Sequence, residues 1–318
     1  MIKKVLCIIT LITLSSVALA EQKLRMATLS YGTVNWELDT IQHYGLDKSS
    51  GIEMELVKMA NLPATRLALL NGGADVAVAD WMWVSSQRAK GRNYSFIPYS
   101  SSVGGLMVNP KSNIKSLKDL EGKKVGVAGG ALSKGWLLLQ AAAPQYQLDL
   151  GRVETSYGAP PLLNKELMNG RLDAVITYWH FSAALEAEGM NRLVELSDLQ
   201  KDLGMMTNLP MIGYVFMEEW GRQNPKVVEG LAKASAAAKQ KLQEDDASWE
   251  RLRKKMKPNS EEHFQQLKRG FLNGIPEPVT IAHQEDAAIL FVKLGKYGGK
   301  ELTGESGTLM QGTFWQFD

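Results

Sequence analysis

The sequence predicts an α/β fold with largely parallel sheets, built as two related lobes. Three observations carry this. Strand patterns alternate with helical ones from Lys23 to Leu196, the order of strand–helix–strand units. Asn71–Trp81 (NGGADVAVADW) aligns without gaps on Asn169–Trp179 (NGRLDAVITYW), with Asn, Gly, Asp and Trp identical. A chain of 318 residues is also long enough for two domains of ordinary size.

Taken in order, Lys23–Ser30 reads as a mixed strand closed by Tyr31-Gly32. Asn35–Tyr44 suits a helix with Asn35 as N-cap. Ile52–Met59 alternates with period two, so it is a strand. Pro63–Leu70 is a helix with proline in its first turn. Ala74–Ala79 is a small-residue strand, Ser85–Lys90 a helix and Tyr94–Tyr99 a strand. The pattern restarts with Lys123–Val127 as strand and Leu132–Ala143 as helix. Arg152–Ser156, Asp173–Thr177 and Arg192–Leu196 follow as strands, with Pro161–Asn169 and Phe181–Glu188 as helices between them. From Pro225 the chain is helical: Val227–Glu244, Ser248–Met256, Glu261–Phe271 and Ile281–Leu294, divided by Pro258, Gly274, Pro276 and Pro278.

Composition narrows the function. Hydrophobic residues make up 45% and charged residues 22%, so a sizeable core can form without staples. Lys+Arg 36 against Asp+Glu 34 gives a formal charge of +2, without the basic excess of a nucleic-acid binder. One cysteine and four histidines exclude a disulfide framework, a Cys-rich zinc site and an iron–sulfur cluster held by this chain alone. His43, His180, His263 and His283 show no HExxH spacing, and there is no GxSxG. No catalytic residue, metal or cofactor is therefore expected.

Residues 1–20 (MIKKVLCIITLITLSSVALA) read as a signal peptide: Lys3 and Lys4, an apolar stretch from Val5 to Leu14, and an Ala18-Leu19-Ala20 cleavage site. Cleavage after Ala20 removes two lysines and the only cysteine, Cys7, leaving a formally neutral chain without thiols. Such a chain suits an oxidising compartment, and the periplasm is the expected location.

The opening strand with Tyr31-Gly32, Leu69–Asp75 (LLNGGAD), Leu117–Val127 (LKDLEGKKVGV), Leu167–Ala174 (LMNGRLDA), and Pro225 with its helical tail carry a family likeness. The sequence resembles the periplasmic solute-binding proteins of ABC importers with the type II fold, in the branch that handles nitrate, sulfonates, taurine and thiamine-pyrimidine precursors. The pieces run over nearly the whole chain after residue 20. The resemblance implies two α/β lobes joined by two crossovers near Ser100–Ser102 and Leu209–Tyr214. Lobe 1 would be residues 21–100 plus 213–318, with the C-terminal helices packed on it, and lobe 2 residues 101–212. It implies a monomer that closes around a small solute and delivers it to an ABC permease in the inner membrane. A second reading is a periplasmic accessory or sensory protein that presents its solute to a receptor or dehydrogenase. A third is an enzyme: one pyrimidine-synthesising relative uses a histidine and a cysteine-rich segment, but this chain keeps no cysteine after residue 20.

Ligands of parallel sheets sit outside the carboxyl ends of the strands. The candidates there are Tyr31, Trp36, Asn61, Asp80 and Trp81 in lobe 1, Ser101 at the crossing, and Gly130, Ser133, Trp136, Tyr178 and Trp179 in lobe 2. Blander roles stand beside these: Asn61 and Asp80 as helix caps, tryptophans as core, Gly129-Gly130 as a tight turn. Gly129–Trp136 leads into a helix whose free N–H groups suit an anion or carbonyl. Trp81 and Trp179, at matched strand ends, are expected to face one ligand as two walls. No arginine stands at these turns. That favours a planar heterocycle over a small inorganic anion, with a sulfonate-like solute also in range.

Overall fold

The structure, a computed structural model, describes residues 22–317; the expected signal peptide and its cleavage site lie outside the described residues. The first part of the chain forms β1 (Gln22–Leu29), α1 (Val34–His43), α2 (Leu46–Ser49), β2 (Ile52–Met59), α3 (Leu62–Leu70), β3 (Val76–Ala79), α4 (Trp81–Arg88) and β4 (Tyr94–Ser100). β2 and β3 flank β1 in parallel, each reached through helices that carry the chain back across the sheet. In β2 the alternation buries Ile52 and Met54 and leaves Glu53 and Glu55 in solvent.

The chain then crosses to a second sheet. It forms β5 (Gly104–Val108), β6 (Lys124–Ala128), α5 (Lys134–Ala142), β7 (Glu154–Gly158), α6 (Pro160–Met168), β8 (Ala174–Tyr178), α7 (Trp179–Ala187), β9 (Asn191–Glu195) and α8 (Leu196–Asp202). It returns to the first sheet as β10 (Ile212–Met217). The strand orders are β2-β1-β3-β10-β4 and β7-β6-β8-β5-β9. In each sheet a parallel trio is followed by a strand antiparallel to both its neighbours, β10 or β5. These two strands, each the first after a crossing, are the ones the sequence reading missed. In β5 the paired glycines look like a break. Gly104 is required there, because a Cβ on it, at φ +147°, would stand 2.0 Å from the Thr177 carbonyl oxygen.

The tail forms α9 (Glu218–Gln223), α10 (Pro225–Glu244), α11 (Asp246–Met256), α12 (Glu261–Asn273) and α13 (Ile281–Thr303). α10 packs on α1 and α2 of the first sheet. A buried charge network fixes it there. The Glu37 carboxylate accepts from Tyr214 Oη and Ser235 Oγ, both at 2.6 Å, and pairs with Lys239 Nζ at 2.7 Å. Two tail helices also reach the second sheet: α12 lies along α7, and α13 touches both α4 and α5.

The sequence match between the two halves extends to side-chain roles. At a constant offset of 98 residues, Pro63, Leu69 and Asn71 correspond to Pro161, Leu167 and Asn169. Asp75 and Asp173 each start a strand and tie it to its parallel neighbour. The Asp75 amide donates to the Arg25 carbonyl, and the Arg25 amide returns a bond to the carboxylate, both at 2.9 Å. Asp173 exchanges the same pair of bonds with Lys124, again both at 2.9 Å. A hydrogen bond to a charged acceptor at a partly exposed site contributes about 1–2 kcal/mol. Asp173→Ala is therefore expected to lower the unfolding free energy by about that amount in urea denaturation. An unchanged midpoint would show that the clamp is not stabilising.

Candidate functional site

The parallel trios end at Leu29, Met59 and Ala79 in one sheet and at Ala128, Gly158 and Tyr178 in the other. The two edges meet at Asp80. Its Oδ1 accepts from the Trp83 amide at 2.9 Å, capping α4, and pairs with Lys134 Nζ, from the second sheet's α5, at 3.2 Å. Burial alone would raise the Asp80 carboxyl; Lys134, the Trp83 amide and Arg66 outweigh it and hold the pKa below the usual carboxylate range. Asp80 is thus ionised at neutral pH.

Arg66 is a residue the sequence reading missed, and the expectation that no arginine stands at the cleft is corrected. It reaches from α3 to the end of β3, with Nη2 at 3.9 Å from Asp80 Oδ2 and its guanidinium 4.9 Å from the centre of the Trp83 ring. Its Nε is buried and has no hydrogen-bond partner among the described residues. The signal was present: Arg66 is the only charged residue in LPATRLALL. Around Asp80, then, two cations face one carboxylate, a net positive site with an unused N–H donor.

Opposite stands Tyr178, the N-terminal cap position of α7. Its hydroxyl lies against Gly129: a Cβ there would stand 2.3 Å from it, so this turn, at φ +85°, is confined to glycine. Burial of the hydroxyl, then Tyr31 on the facing edge, push the Tyr178 pKa above that of an ordinary phenol. Gly130 beside it borders open space, and Tyr31 is 63% exposed. Asn61 and Ser133 cap α3 and α5, accepting from the amides of Ala64 at 2.9 Å and Trp136 at 3.3 Å. Asn61, Asp80, Ser133 and Tyr178 are therefore equivalent in place, each the residue just before a helix that follows a parallel strand.

The tryptophans sit elsewhere. Trp81 is 0% exposed and packs on Phe291 and Phe314, with ring centres 6.2 and 5.9 Å away. It is core and not a wall. Trp136 is buried in the apolar cluster with Leu137 and Leu138. Trp36 is buried among Trp249, Phe271 and Trp179. Trp179 meets Trp36 edge-on at 5.8 Å and lies over Gly270 of α12, so the facing pair of tryptophan walls is overturned. The reason is helical geometry. α4 and α7 start earlier than expected, so Trp81 and Trp179 are first-turn residues, rotated about 100° from the cap residues Asp80 and Tyr178. Asn35 lies inside α1, its amide donating to the carbonyls of Leu29, Tyr31 and Gly32 and so holding the turn after β1.

Ser101 is buried at the crossing, where its amide donates to the Gly274 carbonyl at 2.9 Å. It borders a separate cavity of 440 Å³ on the hinge side, lined by Ser102, Trp179, Glu186, Arg192, Asn208 and Gln266 among others. Arg192 is already held there, by Glu186 at 2.9 Å and by Glu195. On the wall of that cavity Glu186, Arg192 and Glu195 are paired with one another, whereas Arg66 at the strand ends keeps an unused donor.

Two stability tests follow. Trp81→Ala is expected to cost about 3–5 kcal/mol of stability, as a core aromatic does. Solute affinity of the folded fraction should stay at the wild-type value; a stable variant that no longer binds would return Trp81 to the cleft. The second concerns His180, whose Nδ1 is buried without a partner among the described residues. Burial, then His263 on α12, pull its pKa from 6.5 to about 4. The unfolded chain therefore binds more protons between those values, and stability present above pH 6.5 is lost as the pH falls toward 4. His180→Phe should flatten this slope in denaturation series from pH 7.5 to 4.5; equal slopes would contradict it.

Comparison with known proteins agrees with the two-sheet architecture. The model of the family described as NMT1/THI5 like matches residues 42–247. The comparison with curated proteins gives no match. Among solved structures, the periplasmic aliphatic sulphonate binding protein SsuA from Escherichia coli superposes with a TM-score of 0.73 at 19% identity, covering 93% of each chain. The alkanesulfonate-binding protein SsuA from Xanthomonas axonopodis pv. citri, bound to MOPS, gives 0.68 at 16% identity, covering 92% of this chain and 98% of that one. The periplasmic nitrate-binding protein NrtA from Synechocystis PCC 6803 gives 0.54 at 15% identity, covering 78% and 70%. At these identities the likeness establishes the two-lobed periplasmic binding protein fold and not the solute. With more than half of its residues matched by the family model, the chain belongs to the family described as NMT1/THI5 like.

Proposed function

We propose that this protein is the periplasmic binding component of an ABC importer and captures a small organic anion, of the sulfonate type, between the two strand-end edges. The observation that carries the reading is the convergence of Arg66 and Lys134, from opposite sheets, on the end of β3, with the Arg66 Nε unused. A guanidinium and an ammonium in a partly buried edge suit an oxyanion, to which charge-assisted bonds are short and strong. This favours the sulfonate-like solute over a planar heterocycle, since the aromatic walls that argued for stacking are core. Tyr31 and Tyr178 remain at the rim to cover an organic tail.

Further parts of the reading rest on the family and on the sequence. The leader is cleaved after Ala20, the chain is a monomer, and its partner is a permease of the inner membrane. No helix among the described residues is long and apolar enough to cross a membrane. The lobes are residues 21–100 plus 213–318 and 101–212, a division supported by the strands each sheet contains. The lobes open and close around the solute by bending at the crossings after Ser100 and before Ile212.

Calorimetric titration with ethanesulfonate, nitrate and a neutral pyrimidine tests the solute class. Ethanesulfonate is expected to bind, and Arg66→Met to weaken it by about tenfold or more. Binding of the pyrimidine alone, unaffected by Arg66→Met, would overturn the reading.

A further inference from the structure

The Asp80–Lys134 pair links residues of different sheets, and neither partner needs the other for local structure. Asp80 already has a role as the cap of α4, and Lys134 opens α5, which is capped by Ser133. Yet the two side chains meet at 3.2 Å with only 17% and 26% of their surface exposed. Pairs shielded this far are screened less by salt than those on an open surface. Arg66 stands at 3.9 Å on the other carboxylate oxygen, too far for a hydrogen bond and so not yet satisfied by Asp80.

We propose that Asp80 and Lys134 form a charge latch that holds the two edges together while no solute is bound. Asp80 acts as a resident anion: it neutralises Lys134 in the empty protein and keeps the ammonium positioned for an incoming anion. The same two halves are also tied by α12 against α7 and by α13, which packs on both α4 and α5, the helices that begin beside Asp80 and Lys134. An anionic solute that reaches Arg66 and Lys134 takes over the ammonium from Asp80, so the latch exchanges one anion for another without leaving Lys134 unpaired. The inference rests on reading the strand-end edges as the cleft. It does not depend on which anion binds.

The test uses solute-free protein and the distance between two spin labels. Leu70 and Met168, at equivalent ends of α3 and α6, are each 42% exposed. They are replaced by cysteine in a chain carrying Cys7→Ala. Asp80→Asn keeps an oxygen for the Trp83 amide and removes the charge. Lys134→Met removes the other charge and leaves the cap untouched. Both are expected to shift weight from a shorter to a longer distance, with the ratio of closed to open forms falling by about threefold or more. Lys118→Met, which breaks a pair with Glu121 within the second half, should leave the distribution unchanged. Wild-type distributions in both cleft variants would overturn the latch. So would lengthening in Asp80→Asn alone, which would point to the cap, or equal lengthening in Lys118→Met. Failure here leaves the calorimetric result standing, and the reverse also holds.

Discussion

A parallel strand has to be carried back by a helix, so the ends of such strands and the starts of the following helices collect along one edge of the sheet. Each helix start leaves amide N–H groups without partners. In this protein the side chains of Asn61, Asp80 and Ser133 meet that need at α3, α4 and α5, and they lie along the strand-end edges where the solute is proposed to bind. Asp80 shows how much depends on this. Its carboxylate closes α4 through the Trp83 amide and, in the same position, receives Lys134 from the opposing sheet. A buried carboxylate without such partners would be costly. With them it stays ionised, caps a helix and joins two halves of the molecule.

Other contacts tie the same two halves together. On the hinge side, Asp286 of α13 accepts from the Met206 and Thr207 amides at 2.8 and 2.7 Å, and from Thr207 Oγ1 at 2.7 Å. This pins the chain returning from the second sheet to the tail. Trp179 lies between Trp36 and Gly270 at the same hinge. The Glu37–Lys239 network keeps α10 on the first sheet. Removing one partner would leave a buried charge unpaired, which is far more destabilising than the intact pair is stabilising. The two sheets therefore meet through the Asp80–Lys134 pair at the strand ends, through tail helices and through two chain crossings.

Much of this was legible in the sequence because period and repeat are local properties. The alternation of β2 and the gapless match of Asn71–Trp81 with Asn169–Trp179 gave the strand ends in both halves. The match also located two residues of the strand-end edges, one place away from the tryptophans: Asp80 and Tyr178 occupy equivalent cap positions. What a linear pattern does not carry is rotation. A step of one residue into a helix turns the side chain by about 100°, and that step separates Asp80 from Trp81. Arg66 was missed for a related reason. It lies on a helix rather than at a strand end, and its length delivers the guanidinium to a turn that sequence position does not place it in. β5 was hidden because Gly104-Gly105 weakens a strand pattern, although the close approach of the Thr177 carbonyl demands a glycine at 104.

The central claim is that solute binds between the strand-end edges, against Arg66 and Lys134. A crystal structure of the protein grown with ethanesulfonate tests it most directly. The account predicts sulfonate density within hydrogen-bond distance of the Arg66 guanidinium and the Lys134 ammonium, with Asp80 displaced from Lys134. Density confined to the hinge-side cavity beside Trp179 and Arg192, with the Asp80–Lys134 pair intact, would contradict it.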